Sequence, residues 1–265
     1  MLDADGMPRT RERLGEKLTS LGVRRGSVLL VHSSLKAVGW VCGGPVAVVQ
    51  ALLDALGPDG TLVVPTHTPD NSDPAGWQHP PVPESWWPVI RAHTPAFDPA
   101  VTPSQWMGVI AETARTWPGA RRSDHPQVSF AAIGPAAEAV VADHKLDDML
   151  GERSPLGAVN QLDGDVLLLG VGHGRNTSLH LAEYRLPKPP RRWEAASVRA
   201  PGGRTWTRWQ DVDTSEDDFD QVGAAFDATG GAWTGRVGAA DCRLMRQRAL
   251  VDFAVDWLAT HRQPA

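Results

Sequence analysis

Cysteine is nearly absent from this 265-residue chain: Cys42 and Cys242 are the two it has. They lack metal-ligand spacing, which sets aside a cysteine-held zinc site or a disulfide scaffold, and they read as isolated, reduced thiols. Blocks of basic residues are missing too, and the net charge is -5. Nucleic acid and anionic membranes are therefore excluded as main partners. No apolar run approaches membrane-spanning length. Met1-Leu2-Asp3-Ala4-Asp5 lacks the charged and apolar regions of a signal peptide. The expectation is a soluble, cytoplasmic protein. Two catalytic signatures are also missing. There is no Gly-x-Ser-x-Gly elbow of a serine hydrolase and no His-Glu-x-x-His zinc motif, so no metal is expected. Internal repeats and low-complexity tracts are absent as well.

What is present is ordinary globular composition, with 42% apolar residues, enough for a packed core. A helix is predicted from Thr10 to Leu21, stopped by Gly22. Ser27-Val28-Leu29-Leu30-Val31 has no polar alternation, as expected of a strand buried on both faces. Gly43-Gly44-Pro45 opens a helix through Leu56, and Thr61-Leu62-Val63-Val64 is the next strand. This β-α-β order points to an α/β fold with a central, mostly parallel sheet flanked by helices.

From Pro58 to Pro103 the character changes. Half of the 22 prolines fall there, with Trp77, Trp86 and Trp87. Proline suits neither helix interiors nor central strands, so this stretch reads as an ordered excursion over the sheet, a lid or binding wall. Regular structure resumes with a helix over Gln105–Trp117, a strand over Val128–Ile133 and a helix over Pro135–Asp143. A strand at Val166–Leu169 leads through Gly170-Val171-Gly172-His173-Gly174 into a helix near Asn176. Beyond Pro190, a hairpin around Gly202-Gly203 and helices near Phe219–Ala228 and Ala249–Ala259 form a small α+β part.

The sharpest chemistry lies in that strand-turn-helix. His180 and Glu183 are three residues apart and share a helical face. A carboxylate beside an imidazole orients the ring for general-base work; the bland reading is a surface contact. Asn176 or Thr177 can cap the helix, and either can donate to a developing oxyanion. The glycine turn fails the full dinucleotide fingerprint, because Arg175 stands at its last position. His32-Ser33-Ser34-Leu35-Lys36 at a strand exit offers hydroxyls, backbone N–H groups and a cation for phosphates or a thioester carbonyl. Arg121 to Pro126 and Gly151 to Gly157 are two further loops beside strands. Carboxylates cluster at Asp70, Asp73 and Glu84, and again from Asp211 through Asp213 and Asp217 to Asp218. Two acidic loops at one pocket suit a polycationic substrate. His67, His79, His93 and His144 are expected on loops or surfaces.

Taken in order, these motifs resemble the aminoglycoside 3-N-acetyltransferases, the antibiotic N-acetyltransferase family, over nearly the whole chain. The resemblance rests on Val31-His32-Ser33-Ser34-Leu35-Lys36 with Gly43-Gly44, on Gly60-Thr61-Leu62, and on Pro95-Ala96-Phe97-Asp98-Pro99. It continues through Gly119 to Pro126, His144 with Gly151-Glu152-Arg153-Ser154-Pro155, and Leu167-Leu168-Leu169-Gly170. Thr177-Ser178-Leu179-His180-Leu181-Ala182-Glu183 and Gly235-Arg236-Val237-Gly238 complete it.

The resemblance implies one domain over residues 1–265, a fold unlike the GNAT acetyltransferases, and acetyl transfer from acetyl-CoA to an amine without a metal. The implied acceptor is the 3-amino group of a 2-deoxystreptamine ring in an aminoglycoside antibiotic, attacked directly with a histidine base, conferring antibiotic resistance. His180 matches the catalytic histidine and Glu183 its partner. Ser33, Ser34, Leu35, Lys36, Arg121, Ser123, Ser154, Pro155 and Leu156 fall in motifs that look like CoA contacts. Asp70 falls in a loop that looks like an antibiotic contact, and Glu84, Asp213 and Asp218 are acidic candidates for the same role, with Thr177 for the oxyanion. The alternatives are an N-acetyltransferase of another amino sugar or an aminophosphonate, and a CoA- or antibiotic-binding protein without turnover. The accepted aminoglycosides and the oligomeric state are not legible.

Overall fold

The computed structural model describes residues 8–78 and 80–262, so the Met1–Asp5 segment and His79 lie outside the described residues. Helix α1 spans Arg11–Leu21. Thr10 accepts the Arg13 N–H at its start, and Gly22 ends it at φ 111°, a left-handed turn that favours glycine. Strand β1 (Val28–Ser33), the short α2 (Leu35–Val38), α3 (Gly44–Leu56) and β2 (Thr61–Pro65) follow. After the excursion come α4 (Trp87–His93) and α5 (Val109–Arg115), then β3 (Arg121–Arg122), β4 (Phe130–Ile133) and α6 (Ala137–Val141). Helix α7 (Pro155–Gln161), β5 (Asp165–Leu169) and α8 (Ser178–Tyr184) lead to the hairpin β6 (Arg191–Ala200) and β7 (Gly203–Val212). The chain continues through α9 (Phe219–Ala228), β8 (Ala232–Val237), β9 (Ala240–Arg246) and α10 (Gln247–His261).

Seven strands form one sheet in the order β3-β4-β2-β1-β5-β9-β8. At its centre β1 runs parallel to both β2 and β5. The four outer pairings are antiparallel. Five of the seven strands still point one way, because β4 and β9 are the two that reverse, so the sheet is mostly parallel in direction. The apolar runs follow from burial on both faces. Leu29, Val31, Leu167 and Leu169 pack with α1, α3 and α5 on one side. Their neighbours Val28, Leu30, Val166 and Leu168 pack with α6 to α10 on the other. No helix among the described residues is long and apolar enough to cross a membrane.

Two expectations are corrected. The small C-terminal α+β part is not separate from the central sheet. Strand β9 hydrogen-bonds β5, β8 forms the sheet's edge, and only the β6–β7 hairpin stands apart as a two-stranded ribbon. The helix expected from Gln105 begins at Val109, because Trp106 (φ 60°) and Gly108 (φ 83°) have left-handed backbones. The ribbon in turn anchors the excursion. The Asn71 side chain pairs with the Ser197 backbone like an extra strand residue, donating to its carbonyl and accepting its N–H, both at 3.1 Å. Phe97 N–H donates to the same carbonyl at 3.1 Å.

Candidate active site

The exits of β1 and β5 lie side by side, since Ser33 registers with Leu169 and the Ser34 N–H donates to the Leu169 carbonyl at 2.9 Å. Ser34 caps α2 by accepting the Ala37 N–H. After β5 the chain turns at Gly170, whose φ of 73° and close approach to Ala37 leave no room for a side chain. The Gly174 N–H donates to Asp220 at 2.8 Å. These glycines therefore serve the packing of the turn. Asn176, fully buried, accepts the Ser178 N–H at 3.2 Å and fixes the start of α8. Thr177, relieved of capping, keeps its hydroxyl at the cavity, 3.3 Å from His32 Nε2.

One helical turn on, His180 Nδ1 donates to Glu183 Oε2 at 2.6 Å. The imidazole is 13% exposed and the carboxylate 1%. Glu183's second oxygen accepts the Ser215 N–H at 2.9 Å and an Arg262 N–H. Arg262 also grips Asp218 with two bonds, at 2.6 and 2.9 Å, so the 215–218 loop and the chain's last described residue are tied to one carboxylate. The bond to Asp218, ahead of that to Glu183, raises the Arg262 guanidinium pKa and keeps it charged. Phe219 lies against the His180 ring, 4.7 Å between centroids. With Nδ1 committed, the His180 lone pair sits on Nε2, which bonds no other group among the described residues. His32 is pushed down to about 3 by burial first and by the neighbouring His180 second, and so is neutral at ordinary pH.

These groups open into a cavity of about 1070 Å³ between the β1 exit, the β5 exit, residues 106–109 and the 214–217 loop. A second cavity of about 650 Å³ adjoins it, lined by the excursion and the ribbon, with Asp73, Trp77, Trp193, Glu194 and Arg208. His67, Pro69, Met107, Val128, Met149 and Arg192 line both, so the two share a wall. That space exceeds the usual pocket for one drug-sized ligand.

The candidates from the sequence divide accordingly. His180 and Thr177 line the first cavity, as do Ser33, Ser34, Leu35 and Lys36. Five of the proposed CoA contacts do not line either cavity. Ser123 is buried, accepting the Phe130 N–H at 2.9 Å and bonding His144 Nδ1 at 2.8 Å. His144 then reaches the Met149 carbonyl, at 2.8 Å, in the cavity wall. Ser154 is the N-cap of α7, and Pro155 and Leu156 are buried in that helix. Arg121 is exposed on the short β3, 3.8 Å from Glu138.

The acidic candidates also stand aside. Asp70 is held by Gln105 at 2.6 Å, and Glu84 is exposed at the start of a short turn. Asp213 pairs with Arg192 at 3.2 Å, and Asp218 with Arg262. The carboxylates that line the cavities are Glu216, Asp217, Asp73 and Glu194.

His67 and His144 do lie on loops, as expected, but His67 lines both cavities and is pushed to about 3, chiefly by burial. His93 is exposed at the end of α4. Arg262, Ser215 and Phe219 had no signal in the sequence, since each reaches the site from far along the chain. Among the described residues no group of three or more His, Cys, Asp or Glu comes together around a metal-sized point.

The geometry has close relatives. The SPbeta prophage-derived aminoglycoside N(3')-acetyltransferase-like protein YokD of Bacillus subtilis is 41% identical, covering 97% of this chain and 95% of YokD. The YokD crystal structure superposes with a TM-score of 0.94, covering 96% of this chain and 95% of that one. A structure of AAC-IIIb in binary complex with CoASH is 33% identical with a TM-score of 0.86, covering 97% of this chain and all of that one. AAC-VIa bound to sisomicin is 32% identical with the same TM-score and coverage. The family model for aminoglycoside 3-N-acetyltransferase matches residues 30–259. With the family model matched over most of the chain and relatives this similar, the chain belongs to the aminoglycoside 3-N-acetyltransferases.

Proposed function

We propose that this protein, as one catalytic domain over residues 1–265, transfers the acetyl group of acetyl-CoA to the 3-amino group of an aminoglycoside, directly and without an acyl-enzyme. The observation that carries this is the 2.6 Å bond from His180 Nδ1 to a buried, tethered Glu183 at the floor of the larger cavity. An aminoglycoside amine is mostly protonated at neutral pH and cannot attack a thioester in that form. The ammonium first releases one proton to solvent; the neutral amine nitrogen then bonds to the thioester carbon while His180 Nε2 takes a second proton from it, leaving a neutral amide nitrogen. The tetrahedral intermediate collapses with cleavage of the C–S bond, and the thiolate takes up the proton from the imidazolium. Glu183 fixes the tautomer and stabilises the imidazolium. His32 Nε2–H donating to Thr177 Oγ1 leaves the threonine's own O–H free to meet the oxyanion.

The donor lies along Ser33–Lys36, with the exposed Lys36 ammonium toward its phosphates. The acceptor occupies the adjoining cavity, where Asp73, Glu194, Trp77 and Trp193 offer carboxylates and flat faces to a cationic sugar. The CoASH held by AAC-IIIb and the sisomicin held by AAC-VIa support two ligands on this fold. Acetylation removes one positive charge from the antibiotic, which is the basis for resistance.

The test is CoA-thiol release across an aminoglycoside panel, with the product's acetylation site read by mass spectrometry. The expected result is an N-acetyl group on the 3-amine. Turnover confined to amines of another class, or tight binding with no product, overturns this reading.

A further inference from the structure

Trp106 has three properties that do not belong to a packing residue. Its side chain is 80% exposed, more than any other large hydrophobic residue among those described. Its backbone sits at φ 60°, a conformation shared by one other described non-glycine residue, Asp163, and strained for a side chain of this bulk. It also lines the larger cavity, beside Met107 and Gly108.

The strain is held in place by anchors on the two residues before Trp106. The Gln105 N–H donates to the His67 carbonyl at 2.8 Å, and its side-chain amide bonds Asp70 twice, at 2.6 and 3.1 Å. Ser104 donates twice to Glu112, at 2.6 and 3.1 Å. Backbone strain held this way clusters at ligand sites. Here it presents an indole to solvent at a cavity mouth, where burial in the folded protein returns nothing.

The place of the indole selects a ligand. Trp106, Lys36 and Arg175 line the same cavity and are exposed, which puts them at its rim, whereas His180 is deep. A thioester at His180 leaves the far end of CoA, its adenine and phosphates, at that rim. Trp106 does not line the second cavity, where the acceptor is placed. We propose that Trp106 is the stacking surface for the adenine of CoA, held against it by a strained backbone. This rests on the reading of the larger cavity as the donor site.

The experiment compares wild type, Trp106→Gly and Trp106→Phe. Titration calorimetry with CoA measures affinity, and steady-state kinetics are run with acetyl-CoA and with acetyl-phosphopantetheine, which lacks the adenine. Glycine is at ease at φ 60°, so Trp106→Gly should raise Tm. It should also weaken CoA roughly ten-fold, the scale of one base stacked on an aromatic ring. Its kcat at saturating acetyl-CoA and its KM for the acceptor should stay within about two-fold. Trp106→Phe should recover most of the CoA affinity. Acetyl-phosphopantetheine should not distinguish wild type from Trp106→Gly. Wild-type CoA affinity in Trp106→Gly, or a rise in acceptor KM instead, overturns the stacking role. Wild type failing to bind CoA at all overturns the donor-site reading as well.

Discussion

Two histidines seven residues apart after β5, His173 and His180, each pair with a carboxylate, and the pairs are not equivalent. His180 bonds Glu183 at 2.6 Å; His173 Nε2 bonds Asp227 at 3.2 Å. Glu183 is buried and held by Ser215 and Arg262 so that it serves the ring. Asp227 divides itself between His173 and Arg243, the latter at 2.7 Å. The His173 ring fills the space that a side chain at Gly223 of α9 would need, since a Cβ there would lie 1.9 Å from the ring. Its Nδ1 is buried with no hydrogen-bond partner among the described residues, and burial, opposed by Asp227, lowers its pKa. The same two functional groups thus give packing in one case and a cavity-facing base in the other. What separates them is whether the second ring nitrogen meets a ligand space or a helix.

Alanine at each position tests that contrast with the largest effects expected. His180→Ala should lower kcat/KM by about 10²–10⁴, the usual worth of a positioned base, with a smaller loss of Tm than His173→Ala because one side of the ring borders open space. His173→Ala should do the reverse. It empties a packed site beneath α9, at a cost of about 2–4 kcal/mol in stability, while the folded fraction keeps turnover within a few-fold. Denaturant melts and steady-state rates on both variants are the check. A His173→Ala protein that melts like wild type but has lost turnover breaks the comparison.

Arg262→Met sharpens the same contrast one bond further out. Glu183 keeps Ser215 but loses its guanidinium, and Asp218 loses its partner. The expected result is a roughly ten-fold drop in kcat, about 1.4 kcal/mol, with KM for acetyl-CoA unchanged. Unaltered kcat would mean that Ser215 alone fixes the carboxylate.

The sequence makes parts of this legible for physical reasons. Strands β1, β2 and β5 are buried on both faces, so they read as unbroken apolar runs. Thr10 and Gly22 bracket α1 because capping chemistry is local. The His180–Glu183 pair is three residues apart, so helical geometry alone brings it together. Strands β8 and β9 escape notice because β8 is an edge whose residues from Trp233 to Arg236 are exposed, leaving no apolar pattern to read. Arg262 escapes because its bond to Glu183 spans 79 residues. The roles of Ser123 and Ser154 are illegible for a related reason. A serine beside a strand or helix start looks the same in sequence whether its hydroxyl faces a ligand or caps a backbone, and here both are taken by the protein's own groups.

The last expected effect concerns three buried histidines that hydrogen-bond no carboxylate among the described residues. His32 and His67 are pushed to about 3 and His144 to about 4, each chiefly by burial, from an ordinary value near 6.5. In the unfolded chain these rings take up protons below about pH 6.5, while the folded protein keeps them neutral. The unfolded state therefore binds more protons as pH falls, and folding stability is full above about 6.5 and drains away on acidification. Each ring contributes a slope of up to about 1.4 kcal/mol per pH unit. Asp165 and Asp211, raised chiefly by burial, act with the opposite sign. The window to test is pH 7.5 to 5.5, around the ordinary histidine value. Urea melts across it should show wild type losing stability, and His32→Gln, which removes one such ring, should lose it less steeply. Stability that stays level from pH 7.5 to 5.5 would mean that these rings take up protons inside the fold, so that His32 is not the neutral ring its burial implies.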